Sequence, residues 1–413
     1  GIIRGGNAGG ATGIRNVTGN ADVTIAVTTG VFDLTGNMYD YSGTITFSNA
    51  GGGIVRMNGS TGSSQATWDL GSGPMELNIR TGSTSNNFGG LMGGFDTVLS
   101  GRSSSDNNGP TTHYIGANGL STTFDGSIRN GAGVNQILSI VKVGSGTLTL
   151  SGISTYTGVT DVREGVLRLI DSGSIDNSSN IVVAAGAAID VSQRYDATLQ
   201  ASIGGLQDLT GSGTILGSVV HYGNGTINPG LPIGTLTITN GLTAYGPITL
   251  ELNRAVGAKN DRLVANTFEL YGQVTVTNVG PDLANGDTFQ LFNKGVTLSA
   301  PAILPETDST GTATYVWDDQ IAVNGTITLV SGGLPPVDNT PTNIVASVAG
   351  GVMTLTWPES HIGWTLQVQT NSLSVGLSNN WVDVVESVAT NRVDLPIDNA
   401  NGAVFFRLIL PNP

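Results

Sequence analysis

Apolar and polar residues alternate in short runs along most of this chain, and nowhere do apolar residues keep up an i, i+3, i+4, i+7 spacing. Period-2 alternation is the signature of strands with one buried face. It marks residues 22–27, 32–34, 43–47, 53–57, 65–70 and 75–79, and later 180–184, 187–191, 247–252, 273–277 and 325–329. The two clearest runs are Gly146-Thr147-Leu148-Thr149-Leu150 and Gly165-Val166-Leu167-Arg168-Leu169, which start 165 − 146 = 19 residues apart. Gly213-Thr214-Ile215-Leu216 and Gly234-Thr235-Leu236-Thr237-Ile238 repeat the scheme 234 − 213 = 21 residues apart. Between the first two runs lie Ser151-Gly152 and Thr155-Tyr156-Thr157-Gly158, turn chemistry built from glycine and hydroxyl residues, and no helical pattern intervenes. A strand that returns after about 20 residues without a crossover helix predicts one turn of a parallel β-solenoid. About 330 residues at roughly 22 per turn give about 15 turns, a rod about 70 Å long. The polar stretches 81–87 and 101–112 read as loops leaving the rod.

After residue 330 the pattern changes. Residues 331–341 are rich in small residues and proline, without alternation, and read as a linker. Beyond it, runs at 344–348, 352–357, 365–370, 381–385, 392–395 and 404–410 predict six short antiparallel strands. They are similar to a fibronectin type III module, a small two-sheet sandwich. Trp357, Trp364 and Trp381, three of the five tryptophans, fall here, and large aromatics suit a two-sheet core better than a narrow solenoid bore. The expected fold is thus all-β, a parallel β-helix or solenoid followed by a small antiparallel β-sandwich. The expected divisions are 1–135 and 136–330 for the rod, 331–341 for the linker and 342–413 for the sandwich.

The stretch from Val141 to Ile170 resembles the autotransporter-associated β-strand repeat of secreted Gram-negative surface proteins. The resemblance runs through Gly144, Gly146, Thr147, Leu148, Leu150, Ser151, Gly152, Thr155, Tyr156, Gly158, Val162, Gly165 and Leu167. The preceding residues 114–133 and the stretch 228–329 also resemble segments that flank this repeat in related exported proteins. The resemblance implies a secreted, extracellular β-helical passenger and names no substrate.

Composition narrows the function classes. Glycine, at 61 residues, is about twice its usual share, and charged residues at 11% are less than half of theirs. Apolar residues at 38%, set in alternating runs, still suffice for a buried face. A net charge of −14 with only 16 Lys and Arg argues against nucleic acid as a partner. The absence of cysteine removes disulfide and thiolate chemistry. No apolar run approaches the ~18 residues that span a bilayer, so the chain is not expected to cross a membrane by helices. Beginning at Gly1-Ile2-Ile3-Arg4 with no visible signal peptide, it reads as a mature, processed chain. No membrane barrel of the kind usual in the family is expected at its other end.

Candidate chemistry is sparse. Polysaccharide cleavage on a β-helix would need paired carboxylates, or acids holding calcium beside a basic residue. The candidates are Asp190 with Arg194 and Asp196, Asp161 with Glu164, and Asp318 with Asp319; each also reads as ordinary solvated charge. His113, His221 and His361 lie in three separate regions without metal spacing. The sequons at Asn16, Asn58, Asn177, Asn224 and Asn324 are what so Asn-, Ser- and Thr-rich a chain produces by chance. Trp357 and Trp364 could stack on sugars, but core positions suit them better. No catalytic residue, cofactor or obligatory metal is expected. The reading is therefore a non-enzymatic extracellular structural or surface protein. Its partners would be further copies of itself, stacked head to tail, with surface polysaccharide as a second candidate. Ile2 and Ile3 are the expected assembly residues, lying as an added strand on a neighbouring copy. The alternative is a carbohydrate-active or carbohydrate-binding protein on the same scaffold.

Overall fold

A computed structural model describes residues 2–5, 12–27, 30–48, 51–81, 84–103, 109–201, 207–230, 232–334, 340–398 and 400–410. Parallel strands coil into a solenoid whose longest sheet has thirteen strands, from Ile2–Gly5 to Val274–Asn278. In the first half each turn adds one strand to this sheet and one to a six-stranded sheet running from Thr12–Arg15 to Ser127–Arg129. A seven-stranded sheet then takes over, from Thr122–Phe124 to Arg262–Val264. From Thr198–Ala201 onward a four-stranded sheet joins, so that each later turn has three sides. Thirteen strands at about 4.8 Å make a rod of roughly 60 Å. That is shorter than the 15 expected turns imply, because the parallel stacking gives way after Val274–Asn278 and the residues that follow do not add turns to the long sheet.

The alternating residues dictate what lies inside. Leu148, Leu167, Ile189, Ile215 and Ile238 stand in register on consecutive turns and are all buried. Each supplies the floor for the next, so the core is a stack of like side chains rather than a single cluster. The 19-residue return expected at Gly146 and Gly165 is present, with Leu148 opposite Leu167. The strands Thr214–Leu216 and Thr235–Ile238 also pair as neighbours. Thr214, however, lies beside Thr237, two residues beyond the match that their glycines suggest.

Three expectations change. The stretches 81–87 and 101–112 supply rod strands as well as loops, namely Ser85–Met92, the end of Thr97–Arg102, and Thr111–Ile115; residues 82, 83 and 104–108 lie outside the described residues. Asn86, Gly89 and Gly90 hide the alternation there, although Phe88 and Leu91 are core residues. Large aromatics do fill the bore of the first half. Phe47, Trp68, Phe88 and His113 form a buried column with successive ring centroids 6.3, 5.3 and 5.2 Å apart. The two-sided turns of this half have a cross-section that the rings fill. Finally, the far end of the rod is closed. After Val274–Asn278 the parallel stacking thins to the isolated pairs Leu263 with Phe292, Leu270 with Leu298 and Thr275 with Ile303. There Thr288–Gln290, Thr326–Ser331 and Val316–Gln320 turn antiparallel, with Phe289, Ile327 and Leu329 buried against the core. Leu334, at the head of the expected linker, still pairs with Ala284 of this cap, while residues 335–339 lie outside the described residues.

Ile2 and Ile3 belong to the first strand of the long sheet, parallel to Val23–Val27 of the same chain with Ile3 beside Ile25. Residues 1 and 6–11 lie outside the described residues.

The C-terminal residues form two three-stranded antiparallel sheets. Val345–Ala349, Val352–Thr356 and Arg392–Pro396 make one; Val382–Val384, Thr365–Asn371 and Ala403–Ile409 make the other. Leu355, Trp357, Leu366, Val384 and Val393 form a core separate from that of the rod. Trp381 is only half-buried and carries the Arg407 guanidinium 4.3 Å from its ring centroid.

Removing Trp68 empties the middle of a buried aromatic column. Trp68→Ala should destabilise the rod by about 3–5 kcal/mol in denaturant titrations followed by circular dichroism. Trp381→Ala, at a half-exposed ring, should cost about 1 kcal/mol or less.

Candidate functional site

The residues of the repeat region are the densest group singled out by sequence, and the solenoid explains each by what lies directly beneath it. Leu148, Leu150 and Leu167 point into the bore, while Thr147 is half-buried on the opposite phase. Gly146 and Gly165 precede the two strands at one corner of the rod. Gly144 has φ +71°, and a Cβ there would strike the Gly116 carbonyl oxygen of the turn below. Gly158 donates its N–H to the Leu138 carbonyl at 2.9 Å, an approach so close that a side chain would collide with that same oxygen. The glycines of the motif are thus the points at which one turn rests on the backbone of the last.

Tyr156 is buried, with its hydroxyl against Thr160 Oγ1. Thr160 occupies the inward column between Ile140 and Ile181, and its hydroxyl bonds to Ser178 Oγ at 2.9 Å. Ser178 Oγ in turn donates to the Gly158 carbonyl at 2.8 Å. Burial pushes the Tyr156 phenol far up, so it stays a neutral hydrogen-bonding group. This hydroxyl chain fastens the turn at Gly158 to its neighbours and leaves no free nucleophile.

Two residues that sequence reasoning did not single out complete the fastening. Lys142 is buried, and its ammonium donates to the carbonyls of Val143 at 2.9 Å, Gly144 at 2.7 Å and Glu164 at 3.1 Å. All three protons therefore find oxygens on two consecutive corners. Burial lowers its pKa to about 8, with Glu164 pulling the other way. Asp261 is fully buried and accepts the N–H groups of Gly234 and Glu251, both at 2.9 Å. Burial raises its pKa to about 7, against those two bonds. A signal for both exists in the alternation: Lys142 shares the inward phase of Leu138 and Ile140, and Asp261 that of Leu263 and Ala265.

The carboxylate candidates do not assemble. Asp190 pairs with Arg168 at 2.9 Å and accepts from Ser192 N and Oγ. Burial pushes its carboxyl up, but these partners together hold it below the usual range. Arg194 lies between Asp196 at 3.4 Å and Asp176 at 3.8 Å. Asp161 binds Arg163 at 2.7 Å, whereas Glu164 points to solvent. Asp318 accepts from the Gln320 amide, and Asp319 accepts the Ile321 N–H at 2.9 Å, where the four-residue helix Ile321–Asn324 begins. Among the described residues no three His, Asp or Glu converge as a metal site would require.

The histidines are core residues. His113 Nε2 donates to the Ser100 carbonyl at 3.2 Å, and burial lowers its pKa to about 4. His221 Nε2 donates to the Gln207 carbonyl at 3.0 Å, again with its pKa lowered by burial. His361 Nε2 donates to the Thr340 carbonyl at 2.7 Å, beside Trp364. Trp357 and Trp364 are buried, which removes them as exposed sugar platforms.

Lys142→Met keeps the packing but leaves three carbonyls without their donor, and should cost about 2–3 kcal/mol of unfolding free energy in urea. Asp261 gives a pH signature. Its folded pKa, about 7, lies above the ordinary 3.8, so ionisation opposes folding. Its contribution is therefore full below pH 4 and is lost as pH rises to about 7. The stability of wild type minus that of Asp261→Asn should fall over this window by at most about 4 kcal/mol, at ~1.4 kcal/mol per pH unit. A difference that stays flat from pH 4 to 8 would contradict this assignment.

Residues 140–169 match the passenger-associated-transport-repeat family. No curated protein matches the chain. Among the described residues no helix is long and apolar enough to cross a membrane. The matched segment spans the strands Thr147–Leu150 and Thr160–Val162 and parts of Leu138–Lys142 and Val166–Asp171, and it includes Lys142, Tyr156 and the corner glycines. This repeat, set in a parallel β-solenoid, fits an autotransporter passenger repeat protein.

Proposed function

We propose that this chain is a structural protein of the cell exterior, a passenger-type rod rather than an enzyme. The observation that carries the reading is the passenger-associated transport repeat at residues 140–169, embedded in continuous parallel stacking. Support also comes from the use of its polar groups. Lys142, Asp261, Tyr156, Thr160 and Ser178 are all engaged in tying turn to turn, and the carboxylate candidates are separated into local ion pairs, as at Asp161 and Asp190, or local hydrogen bonds, as at Asp318 and Asp319. The C-terminal sheets form an appended fibronectin III-like module. Their pairing, first–second–fifth and fourth–third–sixth, follows the A-B-E and C-F neighbours of immunoglobulin-like sandwiches.

Self-association belongs to this reading with one constraint. Among the described residues the first strand, Ile2–Gly5, has one neighbour in its sheet, but at the other end the antiparallel cap follows the last parallel strand. A head-to-tail polymer would have to join that first strand to an outer edge of the cap, Thr288–Gln290 or Val316–Gln320, rather than to bare solenoid.

The location is tested by protease treatment of intact cells exporting the protein. The expected result is digestion of the rod while a periplasmic marker survives, and protection of both would overturn the reading. Sedimentation velocity across a wide concentration range decides the assembly. Head-to-tail growth requires species that lengthen with concentration, and a constant monomer removes it.

A further inference from the structure

The dipeptide Tyr-Gly recurs at Tyr222-Gly223, Tyr245-Gly246 and Tyr271-Gly272. Each tyrosine directly follows a strand of the four-stranded sheet: Ser218–His221, Gly241–Ala244 and Thr267–Leu270. Backbone bonds fix their register, Tyr245 N to the His221 carbonyl at 2.9 Å and Tyr271 N to the Ala244 carbonyl at 2.8 Å. The rings stack in consequence. Tyr222 and Tyr245 lie 5.6 Å apart at 6°, and Tyr245 and Tyr271 lie 4.9 Å apart at 10°. All three are exposed, at 39%, 51% and 54%.

Their orientation limits what they can do. A sugar platform needs ring faces open to solvent, whereas here the faces of consecutive rings cover one another along the rod. What remains outward is a column of phenolic edges. Neighbouring phenols held face to face in solvent are placed for one reaction that isolated tyrosines reach only by collision.

We propose that this ladder is a site of oxidative tyrosine coupling, and that Tyr245 and Tyr271 form a covalent staple between consecutive turns. The co-reactant is hydrogen peroxide acting through a one-electron oxidant of the haem peroxidase class. Each phenol gives up one electron and its hydroxyl proton, and the two phenoxyl radicals join through their ortho carbons in a new C–C bond. Each ring regains its aromaticity when the ortho hydrogen leaves as a proton and the oxygen is reprotonated. The net change is the loss of two protons and two electrons from the protein, which with one peroxide and no other reactant give two waters. In a chain without cysteine this coupling supplies the covalent link between turns that a disulfide would provide elsewhere.

The structure contains its own controls, because Tyr39 and Tyr195 are exposed at 51% and 76% but stack on no other ring among the described residues. The full-length protein, kept dilute, is treated with a haem peroxidase and limiting hydrogen peroxide. The first product should be a monomer lighter by two hydrogens, with dityrosine fluorescence and a Tyr245–Tyr271 cross-link by peptide mass spectrometry. Tyr245→Phe keeps a ring in the stack but removes the coupling partner from both pairs. In that variant intramolecular dityrosine should drop to background, while circular dichroism stays unchanged. Dityrosine spread over Tyr39 and Tyr195 according to exposure, cross-links only between molecules, or no coupling at all would each overturn the proposal. None of these outcomes bears on where the protein resides, so the result stands apart from the surface reading.

Discussion

The backbone of each turn lies directly on the backbone of the turn before it, at about the 4.8 Å spacing of paired strands, and most other features follow from this. At a corner there is no room between two such layers for a side chain, which is why Gly144 and Gly158 sit against carbonyl oxygens. Inside, each inward residue has a neighbour above and below, so aliphatic residues form columns such as Leu148 to Ile238. The same closeness lets one Lys142 ammonium reach carbonyls on two turns. Stability is therefore accumulated locally, turn on turn.

Polar groups inside such a stack are costly unless bonded, and those bonds set their chemistry. Thr160 is tolerated in an isoleucine column because Tyr156 and Ser178 flank its hydroxyl. His113 is kept neutral by burial and closes the aromatic column that begins at Phe47. Asp261 holds two backbone donors of different segments, and its burial makes it the acid most disturbed from its ordinary titration. In an enzyme, such a pKa beside a cleft would mark a general acid. Here the carboxyl is enclosed and its bonds run to the backbone, so the perturbation reflects packing.

Much of the architecture was legible because alternation is a direct image of a strand between bore and solvent. The strand pair at Gly146 and Gly165 and the six C-terminal strands could be placed to within a residue or two. Legibility failed where inward residues are not aliphatic. The strand Ser85–Met92 places Asn86 and two glycines among its core residues, and its alternation disappears from view. Lys142 and Asp261 were overlooked for the same reason, since a charged residue is ordinarily taken to face water. Reading phase before polarity would have placed both indoors. The sheets to which strands belong are a different matter. The hand-over near Phe124 from the six-stranded to the seven-stranded sheet depends on where the chain bends, and the period-2 pattern does not encode bends.

The turns also differ in length. The chain goes from Asn180 to its neighbour Asp208 by a long path, and from Leu209 to Ile227 by a short one. Both returns land in register on the same sheet, the surplus being taken up at corners and in the longer strand Ala188–Arg194, whose register against Val166–Asp171 shifts part-way. Residues can thus be gained or lost at the corners in any number, while a single insertion within a strand reverses the facing of everything after it up to the next turn. For such a rod, evolutionary change in outline is cheap and change in the bore is not. Lineages carrying this architecture should diverge first at their corners, where new loops and new contacts with the surroundings can be tried without refolding the molecule.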